Sequence, residues 1–158
     1  FVTMVAANYL KPKESPDAWV VEVVNTMKMG DCDKLEKLLT SFFASIPYSQ
    51  RRKDDEREKE RYFQYTFYLV IRMISSFTVL IEKEQSEGRV DCIIETPMFV
   101  YIFEFKRDGS ATEALKQIEE KGYAREYATD NRTIYLIGCN FSSKTGTIDD
   151  WKSKGKSV

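Results

Sequence analysis

The 158-residue chain contains no histidine, which removes imidazole as a general base, as a metal ligand and as the middle member of a Ser-His-Asp or Cys-His arrangement. Acid-base chemistry is left to carboxylates, lysine and tyrosine. Cysteine is scarce as well. Cys32, Cys92 and Cys139 are odd in number and show no C-x-x-C spacing, so neither a zinc knuckle nor a disulfide framework is suggested, and reduced, structural thiols in a cytoplasmic protein are expected. Charge of one sign is not in excess. A net charge of −1 supplies no global field for nucleic acid or membrane, and phosphate binding has to come from local patches. Arg51-Arg52-Lys53 and the tail lysines Lys144, Lys152, Lys154 and Lys156 are the basic clusters, and both read first as solvated surface. No apolar run reaches transmembrane length and no signal peptide or lipidation motif is present, so no membrane partner is expected. The opening Phe1-Val2-Thr3-Met4-Val5 begins in mid-pattern and reads as part of a longer chain.

What is present is the material of a folded domain: 42% apolar and 13% aromatic residues, enough for a sizeable core. Apolar residues at helical spacing over 17–28 and 33–44, separated by Met29-Gly30-Asp31, predict a helical hairpin with a stop and then an N-cap. A charged stretch from Arg51 to Lys59 leads into a long helix over about 60–74, with Phe63, Phe67, Val70, Ile71 and Ile74 on one face. Residues 77–82, 90–95 and 99–106 read as three consecutive strands, with Gly88-Arg89 as the first turn and Thr96-Pro97 in the second. Ser110-Ala111-Thr112-Glu113 has capping-box spacing at the start of a helix expected to run to about Tyr127. The nearly all-apolar run 134–139 predicts a strand buried on both faces and parallel to a neighbour after that crossover helix. The fold class is α/β, a mixed sheet made of a three-strand antiparallel meander and a parallel strand, flanked by helices.

The hairpin over 91–106 carries charge on the pleat where apolar residues belong. A turn centred between Pro97 and Met98 sets Asp91 directly opposite Glu104 on neighbouring strands, with Cβ atoms roughly 4.5–5.5 Å apart. Like charges so placed repel unless something positive lies between them, and a divalent cation is the natural candidate. Alternation puts Lys106 on the face of Glu104 and sends Phe103 and Phe105 to the other. The same three charges also fit a cross-strand salt-bridge cluster on a solvated face. Against that, Ile93, Val100 and Ile102 share their pleat face, so charge there needs a compensating partner.

Asp91 on one strand and Glu104-Phe105-Lys106 on the next resemble the signature of the PD-(D/E)XK nuclease superfamily. The resemblance extends through Gly88-Arg89-Val90-Asp91, Tyr101 to Lys106, Ala114-Leu115-Lys116-Gln117-Ile118, Lys121-Gly122-Tyr123 and Ile137 to Ser142, and covers about 55–151. These segments look like a bacterial subfamily whose nuclease-like domain usually follows an AAA-ATPase-like domain. Val90 stands where the motif has its proline.

The resemblance implies a restriction-endonuclease-like core over 51–158, with 1–50 as a helical connection to an upstream domain. It further implies Mg²⁺, with Mn²⁺ able to substitute, held by Asp91, Glu104 and the backbone carbonyl of Phe105. Lys106 would orient the attacking water or neutralise the developing oxyanion. Glu60 is the implied upstream helix carboxylate and Gln117 the implied active-site amide; Glu60 also reads as an ordinary charge in the run Arg57 to Arg61, and Gln117 as an exposed helix residue. Tyr123 matches the family's Lys-x-Tyr pattern and equally fits a buried core tyrosine. The implied function is a metal-dependent nuclease acting on nucleic acid, with DNA the expected substrate. The alternative is a catalytically silent nuclease-fold module that docks nucleic acid or its ATPase-like partner.

Overall fold

The computed structural model describes residues 16–46, 64–72 and 77–156. Helix α1 (Pro16–Met29) ends as Met29-Gly30-Asp31 dictates. Gly30 takes a left-handed φ of 71° and the Asp31 N–H donates back to the Thr26 carbonyl at 3.3 Å. The Asp31 carboxylate then caps α2 (Cys32–Ser45) by accepting from the Lys34 N–H at 2.9 Å. Residues 64–72 form α3. Glu60, Phe63 and the charged stretch from Arg51 to Lys59 lie outside the described residues.

Five strands follow: β1 (Thr78–Gln85), β2 (Gly88–Glu95), β3 (Phe99–Arg107), β4 (Thr133–Phe141) and β5 (Ile148–Lys156). They form one sheet in the order β1-β2-β3-β4-β5, antiparallel throughout except for the parallel pair β3 and β4, which helix α4 (Ala111–Glu120) connects. This is a mixed sheet flanked by helices, the α/β architecture of restriction-endonuclease-like proteins. The β2/β3 register is the one the Thr-Pro turn predicts, with Cys92 opposite Phe103, Ile93 opposite Ile102 and Glu95 opposite Val100.

Three details differ from the sequence-based expectation. The first turn is Ser86-Glu87, and Gly88 and Arg89 already belong to β2, paired with Gln85 and Glu84. Helix α4 stops at Glu120, because Gly122 turns left-handed at φ 61°, and only a short 3₁₀ turn, Arg125–Tyr127, continues it. The third is an additional strand, β5: Lys152, Lys154 and Lys156 lie in it, exposed as the solvated-surface reading expects, with Lys152 donating to Thr112 Oγ1 and Lys154 to Glu119 Oε1, each at 2.6 Å.

The sheet is packed on both faces. Helices α1 to α3 cover Cys92, Ile94, Tyr101, Phe103, Phe105 and Cys139, and the Tyr101 hydroxyl donates to the Met27 carbonyl at 2.6 Å. On the other face α4 and Tyr123 cover Ile93, Val100, Ile102, Ile134 and Leu136. Among the described residues no helix is long and apolar enough to cross a membrane.

Candidate active site

β2 and β3 stop pairing at Cys92 and Phe103, one residue short of Asp91 and Glu104. The strands splay there, and Asp91 turns its carboxylate into the ladder's place, Oδ2 accepting from the Phe105 N–H at 2.9 Å. Glu104 is only 3% exposed. Its Oε1 accepts from the Gln117 side-chain amide, and its Oε2 is buried with no partner among the described residues. The Gln117 carbonyl accepts from Lys106 Nζ at 2.5 Å, so this one amide bridges the lysine and the glutamate. Its orientation is fixed by that bridge, since the opposite flip would set an NH₂ against an ammonium.

Gln117 reaches this position because α4 is anchored at its start. The Ser110 hydroxyl and the Glu113 carboxylate form a reciprocal capping box, and the Ala111 N–H donates to Asp150 Oδ2 at 2.8 Å. Asn140, opposite Lys106 on β4, accepts from the Gly109 N–H and donates to Asp149, holding the loop between Lys106 and the helix. Gly138, opposite Glu104, lets α4 sit directly on the sheet. Asn140 carries a signal readable in sequence, a polar residue inside an otherwise apolar strand, whereas the closeness of the helix over Gly138 is a tertiary fact.

Burial and the neighbouring Asp91 charge push the Glu104 carboxyl up to about 8, against the smaller opposing pulls of Lys106, the Asp91 backbone N–H and Gln117. Asp91 is raised too, chiefly by burial, with the Phe105 N–H and Lys106 working the other way. Two carboxyls that resist ionisation side by side favour a cation between them. No three Asp, Glu, Cys or His side chains converge at metal-ligand spacing among the described residues. A cation here would take these two carboxylates and complete its shell from backbone carbonyl and water. The orphaned Glu104 Oε2 and an all-oxygen donor set suit a hard divalent ion rather than zinc. Cys92 points to the opposite face and burial holds its thiol protonated.

Asp91, Glu104, Lys106 and Gln117, all expected from sequence, thus come together around the open end of the hairpin. Phe105 joins them through its backbone, while Glu60 lies outside the described residues. Tyr123 is a buried tyrosine whose hydroxyl donates to the Arg89 carbonyl at 2.8 Å, fixing the strand that carries Asp91. A stability test follows. Without added metal, Asp91→Asn keeps an acceptor for the Phe105 N–H and removes the repulsion with Glu104, so thermal melts at pH 8 should show a small rise in Tm. A clear drop would instead make Asp91 half of a scaffold ion pair.

A family model of the PD-(D/E)XK nuclease superfamily matches residues 58–151. The chain is also 32% identical over 129 residues to an uncharacterized protein in the vnfD 5′ region of Azotobacter chroococcum mcd 1. That match takes in 80% of this chain and only 25% of the relative's length. The family match runs from before the meander to the start of β5 and includes the Asp91, Glu104 and Lys106 positions, and the chain belongs to the PD-(D/E)XK nuclease superfamily, whose members generally use divalent metals.

Proposed function

We propose that the chain is a metal-dependent nuclease that hydrolyses phosphodiester bonds of nucleic acid, with DNA as substrate and Mg²⁺ as the working ion. The observation that carries this reading is the buried Glu104 Oε2 beside Asp91, without a partner among the described residues, with Lys106 tethered to the same glutamate through Gln117. Asp91, Glu104 and the Phe105 carbonyl would hold the ion, which when bound supplies an activated water and charge stabilisation at the scissile phosphate. Lys106 places its ammonium where a phosphate oxygen would approach the carboxylates, neutralising charge as it builds. Gln117 keeps that ammonium from collapsing onto Glu104 by standing between them. Glu60 is the proposed further carboxylate. Residues 51–158 form the proposed nuclease unit and 1–50 the connection to an AAA-ATPase-like domain of the full-length protein, a partnership that rests on the sequence resemblance alone.

The test is calorimetric titration of Mg²⁺ and Mn²⁺ together with plasmid nicking, on the parent, Asp91→Ala and Lys106→Ala. Asp91→Ala is expected to lose both binding and nicking. Lys106→Ala is expected to retain the ion and lose nicking by at least about a hundredfold, the scale of removing one stabilising group at a reacting centre. A parent that binds nucleic acid equally with and without the ion, and never cuts, would assign the fold to docking.

A further inference from the structure

Asp91 and Glu104 lie just past the end of the ladder that joins their strands. Pairing of β2 with β3 ends at Cys92 and Phe103, so Gly88, Arg89 and Val90, which lead into Asp91, are paired with β1 and not with β3. Toward β1 the pairing skips Asp91 itself, passing from Ile81 opposite Cys92 to Lys83 opposite Val90. A carboxylate on such an arm is free to swing from its neighbour, and two like charges push it that way. The acidic pair needs a brace from outside the sheet.

The end of α4 supplies one. Gly122 turns left-handed at φ 61°, and the Gly122 and Tyr123 N–H groups donate back to the Glu119 and Ile118 carbonyls, each at 3.2 Å, so the Tyr123 backbone is locked to the last turn of the helix. Its side chain, 1% exposed, joins the apolar cluster of Val90 and Ile93, and its hydroxyl donates at 2.8 Å to the carbonyl of Arg89, two residues before Asp91. Gly88 leaves room for this approach, since a Cβ there would lie 3.2 Å from the hydroxyl oxygen. The same connection grips the β1/β2 hairpin around Tyr123. Gln85 Nε2 donates to the Tyr123 carbonyl at 3.3 Å and to Glu126 Oε2 at 2.9 Å, while Lys83 pairs with Glu126 and Arg125 with Glu87.

One helix and its C-terminal turn thus hold both halves of the site. Gln117 bonds to Glu104 and Lys106 on β3, and Tyr123 bonds to the β2 arm that carries Asp91. We propose that Tyr123 is a positioning residue: through the Arg89 carbonyl it holds Asp91 at its distance from Glu104 and so sets the affinity of the pair for a cation. The Lys83–Glu126 and Arg125–Glu87 pairs are partly exposed and add little, as surface ion pairs do. The buried phenol is the rigid member of the brace. Groups that hold a metal ligand in place change metal affinity about 10- to 100-fold when removed.

The cation in this inference rests on the nuclease reading, the link from Tyr123 to Asp91 does not, and the experiment separates the two. Tyr123→Phe is compared with Tyr127→Phe, which removes a second buried phenol hydroxyl from the same connection, one that donates to Glu95 Oε1 at 2.7 Å at the other end of β2. Each variant loses one hydrogen bond, and similar falls in Tm of about 2–4 °C are expected. In metal-free protein the Phe105 N–H, which donates to Asp91 Oδ2, is followed by amide hydrogen exchange and should exchange about tenfold faster in Tyr123→Phe than in Tyr127→Phe. In the calorimetric titration Tyr123→Phe is expected to bind Mg²⁺ or Mn²⁺ about tenfold more weakly than the parent, with nicking recovered as the ion is raised in proportion, and Tyr127→Phe to bind as the parent does. Equal exchange of the Phe105 N–H in the two variants, or undiminished ion binding by Tyr123→Phe where the parent binds the ion, would overturn the proposal and leave Tyr123 a stabilising residue only. Faster Phe105 exchange confined to Tyr123→Phe, where the parent binds no ion, would sustain the link from Tyr123 to Asp91 and overturn the metal reading instead.

Discussion

Glu104→Gln is expected to abolish cation binding and cleavage while making the metal-free protein more stable above neutral pH. Both effects come from one atom. Glu104 Oε1 accepts from Gln117, and Gln at 104 preserves that acceptor. Oε2 is buried with no partner among the described residues, and the substitution replaces the carboxylate that the Asp91 charge repels by a neutral amide. The fold thus exchanges a buried, repelled charge for a neutral group of the same shape. Function moves the other way, because the atom removed is the oxygen left free for a cation.

The sign of the pH dependence is fixed by the direction of the shift. Glu104 ionises near 4.5 when unfolded and at about 8 when folded, so between those values the native state binds more protons. Stability from this group is therefore fully present below about 4.5 and is lost as pH rises through about 8. Asp91, also raised, works in the same sense. Melts of the metal-free parent from pH 6 to 9 should show Tm falling with pH, a slope that Glu104→Gln flattens. Saturating Mg²⁺ should flatten the parent's slope as well, since a bound cation stabilises the ionised carboxylates. A parent whose Tm ignores pH in this range would mean that Glu104 is hydrated or paired in solution.

How much of this was legible in the sequence depends on the range of the interaction that decides each feature. The hairpin register follows from the turn and from side-chain alternation, both local, so the meeting of Asp91, Glu104 and Lys106 follows from residues 91–106 alone. The Gly30-Asp31 stop and cap and the Ser110–Glu113 capping box are equally local. β5 was not legible. Ile148 and Trp151 are its buried apolar residues, and residues 152–156 are all exposed, so it shows neither strand alternation nor an apolar run. It is a strand because β4 needs a backbone partner on its outer side, and its lysines suit an edge that must not recruit another chain.

Gly138→Ala carries the largest expected loss of stability, and its reason lies in the placement of the site. Gly138 stands between Glu104 on β3 and Lys152 on β5, on the face that α4 covers. A Cβ there would run into the Ala111 carbonyl oxygen and come within 2.9 Å of the Leu115 backbone N. Both obstacles are helix backbone, which cannot rotate aside as a side chain does. Nor can the helix slide, because its first turn is tied to Asp150 and to the Ser110–Glu113 box. The methyl must lift α4 off the sheet, and Gln117 goes with it, opening the bridge between Lys106 and Glu104. Overpacking of this kind costs about 1–3 kcal/mol or more, which in a chain of this size lowers Tm by roughly 3–10 °C. Gly155→Ala is the matched control, since its Cβ meets only the Tyr135 ring, at 3.1 Å, and a ring can give. If Gly138→Ala lowers cation affinity and nicking while Gly155→Ala spares both, the contact of α4 with the sheet sets the geometry of the acidic pair. Equal behaviour of the two variants would place the control of that geometry in the hairpin itself.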